Sequence, residues 1–189
     1  MDKKKILDQI KSELLNNTSL PLRDTANNLV FGEGNPNANL YFLGEAPGRR
    51  EDETGRPFVG LAGRILENML ESISLTRKDV YISSIVRYRP PKNRPPKPNE
   101  IKAFASSVVN EITTVSPKLV IPLGRFAMEK FLPNEKISHA HGKIYNVIWE
   151  GKKMTILPFY HPAAALRSTN VKNLLAEDFK KLPDLLKKI

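Results

Sequence analysis

The chain has 189 residues, 40% of them hydrophobic, with 30 Lys and Arg against 20 Asp and Glu and a formal net charge of +10. That length suits one compact domain, residues 1–189, with enough apolar side chains for a core, so wholesale disorder is excluded. With no cysteine in the sequence, disulfides, thiolate nucleophiles and cysteine-held zinc or iron–sulfur groups are excluded too. No apolar run approaches the roughly 20 residues of a membrane span. The start, Met1-Asp2-Lys3-Lys4-Lys5-Ile6, lacks a signal-peptide core, so a soluble, cytoplasmic protein with no membrane partner is expected. Excess Lys and Arg are favoured by phosphate backbones through counterion release, which points to nucleic acid; a solvated basic surface is the alternative.

Apolar residues Ile6, Leu7, Ile10 and Leu14 recur at helical spacing. Leu40-Tyr41-Phe42-Leu43 reads as a buried strand, stopped by the turn Gly44-Glu45-Ala46-Pro47-Gly48. Leu61, Ile65, Leu66, Met69, Leu70 and Ile73 predict a helix with one apolar face. Val80 to Val86 predicts a second strand, and Pro90 to Asn99, with five prolines, a stiff exposed loop. Asn99 is the expected N-cap of a helix carrying Ile101, Phe104, Val108 and Ile112. A third strand runs from Leu119 to Leu123, then a short helix to Phe131. Tyr145–Trp149 and Met154–Phe159 read as a hairpin, and His139 and His141 alternate as strand neighbours would. An amphipathic segment from Val171 to Leu186, broken near Pro183, closes the chain.

Strands alternating with helices predict a three-layer α/β domain with a mostly parallel sheet, whose ligands sit beyond the carboxyl ends of the strands. That gathers three loops: Gly44–Asp52, Ser83–Asn93 and Tyr160–Arg167. In the first, Glu45 follows a buried strand, where a carboxylate can position or activate a water; a solvated turn acid is the plain alternative. In the third, His161 can donate to developing negative charge or shuttle a proton, or simply pack. Arg49, Arg50, Arg87, Arg89, Lys92, Arg94, Lys97, Arg167 and Lys172 would make a shared rim cationic. No metal-ligand set stands out, and Gly55–Arg64 lacks the ending of a phosphate-binding loop.

In their order, Val30-Phe31-Gly32-Glu33-Gly34-Asn35-Pro36, Gly44-Glu45-Ala46-Pro47-Gly48 with Glu51-Asp52, Gly55-Arg56-Pro57-Phe58-Val59-Gly60, Arg89-Pro90-Pro91-Lys92-Asn93-Arg94-Pro95-Pro96, Leu123-Gly124 and His161-Pro162-Ala163 through Leu166-Arg167 resemble the family-4 uracil-DNA glycosylases. The resemblance spans about residues 17–182. It implies an α/β/α fold around a four-stranded, mostly parallel sheet. The implied activity is monofunctional hydrolysis of the N-glycosidic bond of a deaminated base, uracil first, flipped out of DNA. It further implies that Glu45 positions the attacking water, His161 hydrogen-bonds the departing base, and Glu51 and Asn93 assist. Phe58 would stack on the base, with Gly44, Ala46 and Ser84 around it. Leu166 and Arg167 would enter the minor groove, and Arg49, Arg89 and Arg94 would contact DNA. The implied partner is DNA bearing such a base, and a monomer is expected.

Two departures accompany the resemblance. The family holds a four-iron, four-sulfur cluster on four cysteines, whose places fall near Asn17, Leu20, Tyr88 and Phe104, so no cofactor is expected. Where the family has an Asn reading the base edge, this chain has Ser84, whose hydroxyl cannot span an amide's two-point pattern. Hypoxanthine and xanthine therefore become admissible bases. A catalytically silent DNA-binding relative, and a phosphate-ester hydrolase using Glu51-Asp52-Glu53, are the competing readings.

Overall fold

The computed structural model describes residues 2–188. The first half contains α1 (Lys3–Asn16), β1 (Glu33–Gly34), β2 (Leu40–Gly44), α2 (Arg49–Thr54), α3 (Leu61–Glu71) and β3 (Tyr81–Ser84). The middle contains α4 (Pro98–Ala103), α5 (Ala105–Val115), β4 (Leu119–Pro122), α6 (Arg125–Met128) and α7 (Ile137–Ala140). The hairpin strands β5 (Tyr145–Trp149) and β6 (Lys152–Ile156) follow, then α8 (Pro162–Ala165), α9 (Thr169–Lys180) and α10 (Leu182–Lys188).

The sheet order is β1-β3-β2-β4-β6-β5. β3, β2, β4 and β6 form the expected parallel core, and β1 and β5 add an antiparallel strand at each edge. β1 escapes a reading by periodicity because it is only two residues long. β2 is buried along its whole length, which a strand with parallel neighbours and a helical layer on each face requires. Its side chains alternate between the two cores. Tyr41 and Leu43 join Leu7, Ile10, Leu14, Val108 and Ile112 of α1 and α5. Leu40 and Phe42 join Leu66, Leu70, Leu175 and Phe179 of α3 and α9. The register sets Gly44 opposite Ser84, so the two strand ends open at one edge of the sheet.

Several local expectations are corrected. Helix α4 starts at Pro98 with Lys97 as N-cap, and Asn99 lies inside it; Glu100 reaches back to the Lys97 N–H (2.7 Å). The helix predicted through Phe104 divides there into α4 and α5. His139 belongs to α7, and His141 caps it, its Nδ1 against the buried Asp178 (2.6 Å). The last helix breaks at Lys181, and Pro183 sits in the first turn of α10, where its missing N–H costs nothing. Arg87, expected on the cationic rim, is fully buried beside Glu111, donates to Ser83, and lies over the Phe31 ring. Tyr41 donates to the same carboxylate (2.9 Å). Removing either member of such a buried pair costs about 3–5 kcal/mol, because a charge is left unpaired. The network fixes the end of β3. No helix among the described residues is long and apolar enough to cross a membrane.

Candidate active site

Beyond the carboxyl ends of the parallel strands lies a cavity of about 460 Å³. Glu45, Ala46, Glu51, Phe58, Ser84, Asn93, Arg94, His161 and Arg167 all line it, so the three loops converge as their strand-end placement requires. Gly44 backs its wall. Arg49, Arg89 and Leu166 stand outside the lining.

Glu45 follows β2 directly, so strand pairing fixes its backbone, yet its carboxylate makes no hydrogen bond to any described residue. Burial raises its pKa above 4.5, and the charge of Arg125 opposes the shift. Arg125 opens α6, is exposed over the Phe126 ring, and pairs loosely with Glu129 at 3.3 Å. Sequence reasoning passed over Arg125; its place directly after the turn glycine Gly124 was the available signal.

His161 caps α8. The Ala163 N–H donates to its Nδ1 at 3.1 Å, so that nitrogen is unprotonated and the proton of the neutral ring sits on Nε2. Burial pushes its pKa down to about 4, with Glu51 opposing, so the ring is neutral at physiological pH. Nε2 has no partner among the described residues. Gly124, at φ +82°, lies so close that a Cβ there would stand 2.9 Å from that of His161. The site thus holds a neutral donor with a defined tautomer.

Phe58 is buried at the cavity edge, its ring centroid 5.7 Å from that of His161. Its φ of +52° lies in the left-handed region that non-glycine residues rarely adopt. Gly44 is required beneath it, since a Cβ there would come within 2.5 Å of the ring. Ser84 is 4% exposed, and its hydroxyl bonds to no described residue. The donor capacity remains free for a ligand.

The remaining predicted residues divide. Glu51 accepts from the backbone N–H groups of Gly48 (3.2 Å), Val59 (2.9 Å) and Gly60 (2.8 Å). Its carboxylate ties the glycine turn to the segment entering α3, which makes it a brace rather than a free acid. Asn93 faces the cavity with its Oδ1 taken by Arg89 Nε (2.6 Å), and both Lys92 and Asn93 have positive φ. Arg94 makes a forked pair with Glu100 (2.9 and 2.6 Å). Arg49 pairs with Glu53 in the open (2.8 Å), a contact that a phosphate can displace. Leu166 is 48% exposed, and the exposed Arg167 lines the cavity. Glu51, Asp52 and Glu53 do not converge: Asp52 is held by Asn27 and Asn28, and Glu53 by Arg49 and Arg50. No group of metal-binding side chains occurs among the described residues.

The residues at the expected cluster position do not fit an iron–sulfur group. Leu20, Tyr88 and Phe104 are buried in one apolar core, with the Tyr88 and Phe104 rings 6.1 Å apart. Arg23 Nη1 reaches from the Leu15 carbonyl (2.6 Å) to the Asn17 carbonyl (3.3 Å) and the Tyr88 hydroxyl (3.5 Å). Rings and aliphatic carbons offer no thiolate and occupy the space. These contacts join the segment after α1 to residues on either side of the proline-rich loop.

The model of the uracil DNA glycosylase superfamily matches residues 31–183. A type-4 uracil-DNA glycosylase of Archaeoglobus fulgidus is 41% identical over 185 residues, covering 95% of this chain and 92% of that protein. Those of Sulfurisphaera tokodaii and Saccharolobus solfataricus are 40% and 38% identical, each over 95% of this chain and 84% and 86% of their own lengths. With a family model matching most of the chain and relatives of 38–41% identity over 95% of it, the chain belongs to the uracil-DNA glycosylase superfamily.

Proposed function

We propose that this protein excises a deaminated base, uracil foremost, from DNA by hydrolysing the bond between base and deoxyribose. One observation carries the reading: a carboxylate on Glu45 and an Nε2–H on His161, neither with a partner among the described residues, line the same cavity beside Phe58. The flipped base stacks on Phe58, between the Gly44–Ala46 turn and Ser84. Glu45 orients a water toward C1′ and stabilises the positive charge growing on the sugar. As the C1′–N bond breaks, its electron pair leaves with the base, and His161 donates to the base oxygen where negative charge collects. Water supplies the new C1′–O bond, and its proton is lost to solvent or to the departing anion. Glu51 and Asn93 hold the walls. Arg49, Arg89, Arg94 and Arg167 supply the cationic rim, and Leu166 stands where an apolar wedge can fill the vacated stack. A monomer is the expected working form, since a base pocket of this kind needs no second subunit.

Ser84 favours a relaxed reading of the base. A single hydroxyl can serve a uracil edge or the corresponding edge of hypoxanthine or xanthine, whereas an amide fixes a donor and an acceptor together. Ser84→Asn is expected to raise the preference for uracil over hypoxanthine by about 10-fold, within the 1–3 kcal/mol of a paired base contact. The test incubates the protein with single- and double-stranded oligonucleotides carrying uracil, hypoxanthine, xanthine or thymine, then cleaves abasic sites with alkali. Unchanged relative rates in the variant remove the role given to Ser84. Release of none of the deaminated bases removes the function.

The reaction runs without an iron–sulfur cluster, a reading supported by the absence of cysteine and by the packed rings at Tyr88 and Phe104. Excision is therefore expected to be unchanged by an iron chelator and by air oxidation. Loss of activity with iron removal, measured alongside metal content, contradicts this.

A further inference from the structure

The turn that presents Phe58 is gripped from two sides by groups of opposite charge. The Glu51 carboxylate accepts the N–H groups of Val59 and Gly60. On the other side, Arg77 donates through Nη2 to the Pro57 carbonyl (2.6 Å) and through Nη1 to the Phe58 carbonyl (2.9 Å). The same guanidinium bonds Glu33 of β1 through Nε (3.0 Å) and again through Nη2, and Glu67 of α3 (3.3 Å). Arg77 offers five N–H donors in a rigid fork, matching these five contacts. Glu33 also accepts from Arg56 Nε (2.9 Å) and Nη2 (3.0 Å), on the residue that precedes Pro57.

This grip coincides with strain. Phe58 stands at φ +52°, and Gly63 packs so tightly against its carbonyl that a Cβ could not be placed there. A left-handed phenylalanine persists only where its surroundings over-determine it. Here a guanidinium takes the carbonyls before and at the strained residue, and a carboxylate takes the amides after it. Arg77 is not among the residues that line the cavity, and it reaches the lining only through the backbone carbonyls of Pro57 and Phe58.

We propose that Arg77, anchored by Glu33, is a positioning residue for base excision, acting through Phe58 by holding its backbone in the conformation that sets the ring at the cavity edge. The inference rests on the reading of Phe58 as the base-stacking residue. Its consequence is specific: removing Arg77 loosens the ring without touching the acid, the histidine or the cationic rim. The loss should then appear in the chemical step and vanish when there is no ring to position.

The experiment is a double-mutant cycle with R77A, F58A and R77A/F58A, measuring single-turnover release of uracil and affinity for an abasic-site duplex. R77A alone is expected to slow release by about 30-fold, within the hundredfold range for a misplaced reacting group, with affinity for the abasic duplex within about twofold. In the F58A background the same change should cost less than about threefold. R77K, keeping the charge but not the fork, should fall between R77A and the unaltered protein. An equal cost in both backgrounds, or no loss in R77A, overturns the proposal. If R77A is too unstable to purify, E33Q carries the same comparison with the guanidinium still present. A 4-fluorophenylalanine placed at position 58 separates this idea from the assigned activity, since its fluorine resonance needs no substrate. A shifted or broadened signal in R77A supports the clamp; an identical signal overturns it even if the protein releases no base.

Discussion

Glu45→Gln is expected to slow release of uracil by about 1,000-fold, in the range general acid–base groups contribute, with little change in affinity for duplex DNA. The substitution keeps the size of the side chain and removes its charge, and no hydrogen bond to a described residue is lost with it. What disappears is the negative charge beside C1′ that orients the attacking water and stabilises the positive charge growing on the sugar. The pH profile gives an independent reading. Burial raises the Glu45 pKa above 4.5, so activity should fall on the acid side through a limb above that value. Arg125 opposes the shift, so Arg125→Ala should move the limb to higher pH. A limb that stays in place in that variant, or a glutamine variant with undiminished turnover, contradicts the assignment.

Replacement of His161 by alanine should cost about 100- to 1,000-fold in the excision step, the usual loss for one donor aimed at a developing anion. The donor is neutral, because the ring's pKa lies at about 4. A limb from His161 itself therefore belongs near pH 4 rather than near neutrality. His161→Gln, which retains an N–H donor, should recover part of the loss. The same depression has a stability consequence. Between about 4 and 6.5 the unfolded chain binds a proton at His161 that the folded chain refuses, so folding weakens as pH falls through that window. Full activity in the alanine variant removes His161 from the mechanism.

The core of the site was legible in the sequence because its pieces are local. Glu45 and Ser84 lie at the ends of buried apolar runs, and His161 stands one residue past Tyr160 and directly before Pro162, so strand placement alone sends them to one edge. The roles of charged residues were less legible, since an ion pair is decided by a partner distant in sequence. Arg87 resembled the other rim arginines until Glu111, 24 residues away, proved to be its buried partner. Arg94 likewise is committed to Glu100, and Glu51 to three backbone N–H groups rather than to substrate. Gly63 and Arg77 carried no motif of their own. Their importance appears only once the backbone of Phe58 is seen in the left-handed region.

Where the resemblance implies cysteines, this chain packs apolar side chains. Tyr88 and Phe104 bring ring surface into the core, and Arg23 adds a charged bridge across the same junction. Apolar burial of this kind needs no assembly step and no reducing environment. Tyr88 and Phe104 flank the loop bearing Asn93 and both lie in that core.

The decisive measurement is alkali cleavage of a duplex with one central uracil after incubation with the unaltered protein or with the combined E45Q/H161A variant. Scission at the uracil by the former, none above the enzyme-free background by the latter, and equal retention of the duplex by both are the expected outcome. Scission by the combined variant at the unaltered rate would show that the shared cavity of Glu45 and His161 is not where the bond is broken.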